Sequence, residues 1–109
     1  MERYAFALDL VDDPKLIAEY EVYHQAVWSE IRASIKDAGV TDMMIYRFGN
    51  RLFMVMDVDD TFSFEKKNEM DLLNPKVQEW EALMWKYQRA IPGAKLGEKW
   101  VLMNKIFEL

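Results

Sequence analysis

Four large apolar residues, Tyr4, Phe6, Leu8 and Leu10, stand at every second position and run straight into Val11-Asp12-Asp13-Pro14. Alternation with a period of two marks a strand. An acidic cap followed by proline in the first turn starts a helix. The chain therefore opens strand-then-helix, and the two faces of the strand differ. The large residues share one face, and Ala5 and Ala7 on the other leave room for a helix or a ligand. The helix is expected to run from Pro14 to about Asp37, where Ala38-Gly39 ends it with a glycine free to take the left-handed conformation.

The remainder reads in the same way. Val40 to Arg47 is a short apolar strand, Phe48-Gly49-Asn50-Arg51 supplies turn chemistry, and Leu52 to Val58 is a second strand of a β-hairpin. Leu52, Met54, Met56 and Val58 share one face of that strand and Phe53 and Val55 the other, so the sheet is expected to be covered on both sides. Asp59-Asp60-Thr61 reads as an N-cap for an irregular, charge-rich helix from Phe62 to Leu73, and Asn74-Pro75 caps a further one. In that second helix Val77, Trp80, Met84, Tyr87 and Ile91 recur at helical spacing until Pro92-Gly93 stops it. Trp100 to Leu109 is dominated by strand formers and closes the chain. The order β-α-β-β-α-β predicts an α+β fold of ferredoxin-like type, one antiparallel sheet with helices on one face. Residues 1–109 read as a single domain. The sheet face without helices needs a cover, and homodimerisation sheet to sheet, the dimeric α/β barrel arrangement, is the simple way to provide one.

Composition narrows the chemistry. The net charge is −5 and no Lys/Arg-rich run is present, which argues against nucleic acid as a partner. There are no cysteines, hence no thiolate nucleophile and no thiolate metal site, in keeping with a cytoplasmic setting. The sequence has no apolar run of membrane-spanning length, so no membrane partner is expected. A lone histidine rules out a multi-histidine metal site within one chain, and no glycine-rich phosphate loop, G-x-S-x-G elbow or H-E-x-x-H motif occurs. No cofactor is expected.

The one histidine, His24, lies in Tyr20 to Ile31. On a helix Tyr20, His24, Val27, Trp28 and Ile31 fall on one stripe, with the imidazole between a phenol and an indole. That suits a small polar ligand with some apolar surface, although spacing alone favours a packed core histidine. The four tryptophans divide similarly. Trp28 and Trp80 lie on helical stripes, Trp85 on the face opposite Trp80, and Trp100 at a strand start. Each is either a core or interface anchor or a stacking platform for the C–H faces of a sugar. Tyr46, near a strand end, is either packed or ligand-facing. The methionines read as core filler, and the acidic runs Asp57-Asp59-Asp60 and Glu79-Glu81 as caps and solvated faces.

Taken together, Tyr20-x-x-x-His24-x-x-x-Trp28-x-Glu30, Ile45-Tyr46, Asn50-x-Leu52-Phe53, Gln78-x-Trp80, Ile91-Pro92 and Ile106-Phe107-x-Leu109 resemble the L-rhamnose mutarotase family over almost the whole chain. The resemblance implies a dimeric ferredoxin-like enzyme that interconverts the α and β anomers of a 6-deoxy sugar without metal or nucleotide. It implies that Tyr20 and His24 line the sugar site, with His24 as proton donor; Trp28 and Tyr46 stand beside them as substrate-binding candidates from the reading of the residues themselves. The family's second-strand tyrosine corresponds to Met43. Its adjacent tryptophan pair corresponds to Trp80-Glu81, leaving Trp85 as the candidate for the second tryptophan. Met43 implies a preference shifted from L-rhamnose toward a sugar such as L-fucose. Two other readings share the fold: a cofactor-free monooxygenase of the dimeric ferredoxin-like type, and a non-catalytic small-ligand or interaction module.

Overall fold

The computed structural model describes residues 2–109. Strand β1 (Glu2–Leu10) leads to helix α1 (Pro14–Gln25) and helix α2 (Ser29–Asp37). The hairpin β2 (Val40–Phe48) and β3 (Arg51–Val58) follows, then α3 (Phe64–Leu73), α4 (Pro75–Met84) and the two short strands β4 (Gln88–Arg89) and β5 (Val101–Leu102). The sheet runs β2-β3-β1-β4, with β5 also on β1, and every pairing is antiparallel. This is the ferredoxin-like α+β arrangement anticipated from the alternation of elements.

The proline-marked helix starts form as expected. Asp13 Oδ1 accepts from the backbone N–H groups of Lys15 and Leu16 at 2.9 and 3.3 Å, and Asn74 Oδ1 from those of Lys76 and Val77 at 3.1 and 3.4 Å. Each cap satisfies donors that the first helical turn leaves open. Gly39 ends α2 at φ +100, and a Cβ there would lie 2.7 Å from Asp59 Oδ1 and 2.8 Å from Thr61 Oγ1. Glycine is therefore required twice over, by backbone conformation and by space.

Register sorts the side chains. Phe6 stands opposite Met54 and Leu8 opposite Leu52, so the large residues of β1 and β3 share the face beneath the helices. Leu8, Leu10 and Leu52 are fully buried there. On the other face, Ala5 and Ala7 oppose Val55 and Phe53. This open face also carries Met44, Tyr46 and Phe48 of β2, of which Phe48 is 84% exposed. Two bidentate ion pairs frame it, Arg3–Asp57 and Arg51–Asp9, each with N···O distances of 2.7 and 3.1 Å.

Four expectations are corrected. The helix predicted from Pro14 to Asp37 is two helices, because Ala26 (φ −145, ψ 62) and Trp28 (φ −53, ψ 138) leave helical geometry. The break turns Val27 and Trp28 onto the core around Trp80. The N-cap expected at Asp59-Asp60-Thr61 is Ser63, whose Oγ accepts from Lys66 N–H at 3.1 Å; Asp59 instead closes a turn on Thr61. The helix expected to reach Ile91 stops at Met84, since Gln88 and Arg89 pair with Leu10 and Asp9 at the edge of β1. The closing strand expected over Trp100 to Leu109 is only Val101–Leu102. Strand-forming residues make a strand only where a neighbour offers a ladder, and Ile106, Phe107 and Leu109 remain exposed.

Candidate active site

Between the helices and the sheet lies a cavity of about 800 Å³. Small-molecule sites commonly measure about 300–1,000 Å³. Its walls bring together Tyr20 and His24 from α1, Ile31 from α2, Met43 from β2, Trp80, Glu81 and Met84 from α4, Gln88 from β4, and Lys99 with Trp100 ahead of β5. Phe6, Met54 and Met56 line the sheet side. The lining is mainly apolar and aromatic with a few polar groups converging on it, which is the composition of a ligand site.

His24 occupies the last turn of α1 and is half-buried. Its Nδ1 lies 2.9 Å from the backbone carbonyl oxygen of Tyr20. A carbonyl only accepts, so Nδ1 carries the proton in this bond and the neutral ring presents its lone pair at Nε2. The ring is stacked obliquely on Tyr20 at 4.2 Å between centroids and meets Trp80 edge-on at 5.7 Å. Burial pushes the imidazole below its ordinary value of 6.5, and the bond to Tyr20 offsets part of that shift. His24 is thus neutral at physiological pH, a base at Nε2 and a donor once protonated.

Tyr20 is 3% exposed, and its hydroxyl accepts from Gln88 Nε2 at 3.5 Å. Burial raises the phenol above its usual value, so it stays protonated and can donate. Trp80 is the centre of the aromatic wall, with Trp28 edge-on at 5.0 Å and Tyr23 at 6.3 Å. Lys99 donates to the Glu81 carbonyl at 3.2 Å, and burial lowers its ammonium while the Glu81 charge opposes this. Lys67 and Asp71, also on the lining, pair at 2.5 Å.

Of the residues expected at the site, Tyr20, His24, Met43 and Trp80 line the cavity. Trp28 stands behind Trp80 as its support. Tyr46 does not belong with them: it opposes Phe53 on the open face and is 57% exposed. A strand sends alternate side chains to opposite faces, so Met43 and Tyr46, an odd number of residues apart, cannot both face the cavity. Trp85 is also displaced: it is absent from the cavity lining and 40% exposed, with the Lys99 ammonium 4.8 Å from its ring centroid. The sequence reading missed Gln88 and Lys99. A signal existed for Gln88, since it follows Met84 by four and interrupts the apolar stripe of the helix then expected. Lys99 lay in a loop without periodicity and gave none.

An α+β sandwich with an aromatic cavity and one imidazole in its wall is a ferredoxin-like protein whose helices and sheet enclose a space of small-molecule size. The L-rhamnose mutarotase family model matches residues 3–109. The chain belongs to that family, whose members are sugar mutarotases, that is, aldose 1-epimerases. It is 44% identical to an L-fucose mutarotase of Xanthomonas campestris pv. campestris over 111 residues, spanning 100% of this chain and 89% of that protein. The crystal structure of an L-rhamnose mutarotase from Formosa agariphila superposes with a TM-score of 0.74 at 23% identity, covering 100% of this chain and 99% of that one. A dimeric ferredoxin-like protein from an uncultured marine organism superposes at 0.59 and 12% identity, covering 98% and 96%. Among the described residues no helix is long and apolar enough to cross a membrane.

Proposed function

We propose that the chain interconverts the α and β anomers of a 6-deoxy-hexose, with L-fucose preferred to L-rhamnose, and that His24 carries the proton. The observation that carries this reading is the tethering of His24 Nδ1 to the Tyr20 carbonyl, which leaves a neutral Nε2 at a sugar-sized cavity. The anomeric hydroxyl and the ring oxygen sit on the same carbon, so one nitrogen can serve both in turn. Nε2 takes the proton from the anomeric hydroxyl, the carbonyl forms as the C1–O5 bond breaks, and the imidazolium returns the proton to the ring oxygen. His24 is then the proton donor of ring opening. Rotation of the aldehyde about C1–C2 and the reverse steps close the ring on the other face. Trp80 supplies an apolar surface for the C–H face of the sugar, and Tyr20 a hydroxyl donor.

Met43 on the cavity wall supports L-fucose, because a thioether favours a C–H or methyl where a phenol would favour a hydroxyl. The 44% identical relative named for L-fucose points the same way. The exposed apolar residues of the open sheet face, Tyr46 and Phe48 among them, support a homodimer closed across that face, and a cysteine-free chain suits the cytoplasm. Anomer exchange followed by saturation-transfer NMR over L-fucose, L-rhamnose and other aldoses tests the reading. Acceleration of L-fucose above the uncatalysed rate is expected, and no acceleration of any aldose would reject it.

A further inference from the structure

Gln88 opens β4 and is 7% exposed. Its pairing with Leu10 puts its side chain on the helix-covered face, in the wall of the His24 cavity. A primary amide has two ends, an NH₂ that donates and a carbonyl oxygen that accepts. Nε2 is engaged with the Tyr20 hydroxyl at 3.5 Å, whereas Oε1 is buried without a hydrogen-bond partner. Exchanging the two ends of the amide would free Nε2 instead, so one end stays open in either orientation. Nearly all buried polar groups have partners, so an orphaned amide oxygen on a residue of the cavity wall is a candidate for a partner that a ligand brings. The sheet order puts β4 and β2 at opposite ends of the path, so Gln88 and Met43 stand at opposite edges of the sheet face that lines the cavity. One edge offers an amide and the other a thioether.

We propose that Gln88 is a substrate-positioning residue: the open end of its amide binds one ring hydroxyl of the sugar, while the other end holds the Tyr20 hydroxyl, and together they orient the anomeric carbon toward His24. This rests on the mutarotase reading of the cavity. A hydroxyl both donates and accepts, so it satisfies whichever end of the amide is open, and a C–H or methyl satisfies neither. The sugar is therefore held with a hydroxyl toward β4 and its less polar edge toward Met43.

The test is a cycle between residue and hydroxyl. Anomer exchange is measured for wild type, Gln88→Met and Gln88→Glu on L-fucose and on its monodeoxy analogues, with kcat and KM determined separately. In wild type, one analogue is expected to lose about tenfold in kcat/KM. Gln88→Met is expected to lose a similar factor on L-fucose, mainly in KM, and to lose nothing further on that analogue. Gln88→Glu, which keeps an acceptor, recovers most of the loss. The Tm of ligand-free Gln88→Met stays near that of wild type, because the substitution removes the orphaned amide oxygen but also frees the buried Tyr20 hydroxyl, two effects that oppose each other. Losses that simply add for every analogue would overturn the proposal, as would a Gln88→Met protein with lowered Tm and unchanged KM. Absence of exchange on every aldose in wild type is seen before any variant is made, and it would remove the mutarotase reading together with this proposal.

Discussion

Replacing His24 with asparagine separates chemistry from folding. The asparagine amide can donate to a backbone carbonyl as Nδ1 of His24 does to that of Tyr20, so the structural loss is mainly that of the ring contacts with Tyr20 and Trp80, about 0.5–1.5 kcal/mol each. The catalytic loss is larger. A positioned acid/base group contributes roughly 10²–10⁴-fold, about 2.7–5.5 kcal/mol of barrier. Among the other polar groups of the cavity the Tyr20 phenol is held protonated, the Lys99 amine is engaged with the Glu81 carbonyl, and Asp71 is paired with Lys67, while Asp42→Asn is a control for the carboxylate on β2. Glu81 also lines the cavity, and Glu81→Gln is the control for it. Burial lowers the His24 pKa below 6.5, and the neutral ring is the active base. The wild-type rate is therefore flat above about pH 7 and falls as the pH drops through that lowered value. The same shift makes the unfolded chain bind more protons than the folded one below 6.5, so His24 also costs stability as the pH falls from 6.5 through the folded pKa. Exchange NMR against pH, with Tm measured in parallel, checks both. A folded His24→Asn protein with near wild-type exchange, or one that keeps the acid limb of the rate profile, would refute the mechanism.

Met43→Tyr is expected to shift the ratio of exchange rates from L-fucose toward L-rhamnose by severalfold, measured side by side on the two sugars; an unchanged ratio would show that Met43 does not set the preference. Gly39→Ala forces a β-carbon onto Asp59 and Thr61 at a positive φ and is expected to cost about 1–3 kcal/mol in urea denaturation, with exchange activity preserved below the transition. Light scattering at micromolar concentration is expected to give twice the chain mass, and Phe48→Glu on the open face to give the single-chain mass; a monomeric wild type would leave that face to some other cover.

Local chemistry made much of this fold legible. Asp13-Pro14 and Asn74-Pro75 announce their helices because cap and proline act within one turn. The alternation from Tyr4 to Leu10 marks β1 because one of its faces is buried and the other is not. The misreadings are the places where a distant partner decides. The chain around Val27 leaves the helix to seal the core at Trp80, with only Ser29 and Glu30 behind it to hint at a new start. Tyr87 and Ile91 continue a helical pattern, but Gln88 and Arg89 between them pair with Leu10 and Asp9, far away along the chain. Tyr20 and His24 were legible because they lie one turn apart on a single element. Gln88 and Lys99 join them only through tertiary pairing, and Tyr46 was misassigned because the face of β2 turned to the cavity was not settled by composition.

The two ion pairs on the open face act as an alignment key for the sheet. In the native ladder Arg3 meets Asp57 and Asp9 meets Arg51. A slip of one residue would turn the buried leucines outward. A slip of two keeps the faces but not the charges. In one direction Arg3 would face Val55 and Asp9 the turn glycine, Gly49; in the other Arg3 would still find an acid, Asp59, but Asp9 would be stranded against Phe53. Only one alignment satisfies both ends. Because β1 also carries β4, the charges on the outer surface fix how far Gln88 stands from the hairpin that bears Met43. The width of the inner chamber is thus gauged from the opposite side of the sheet.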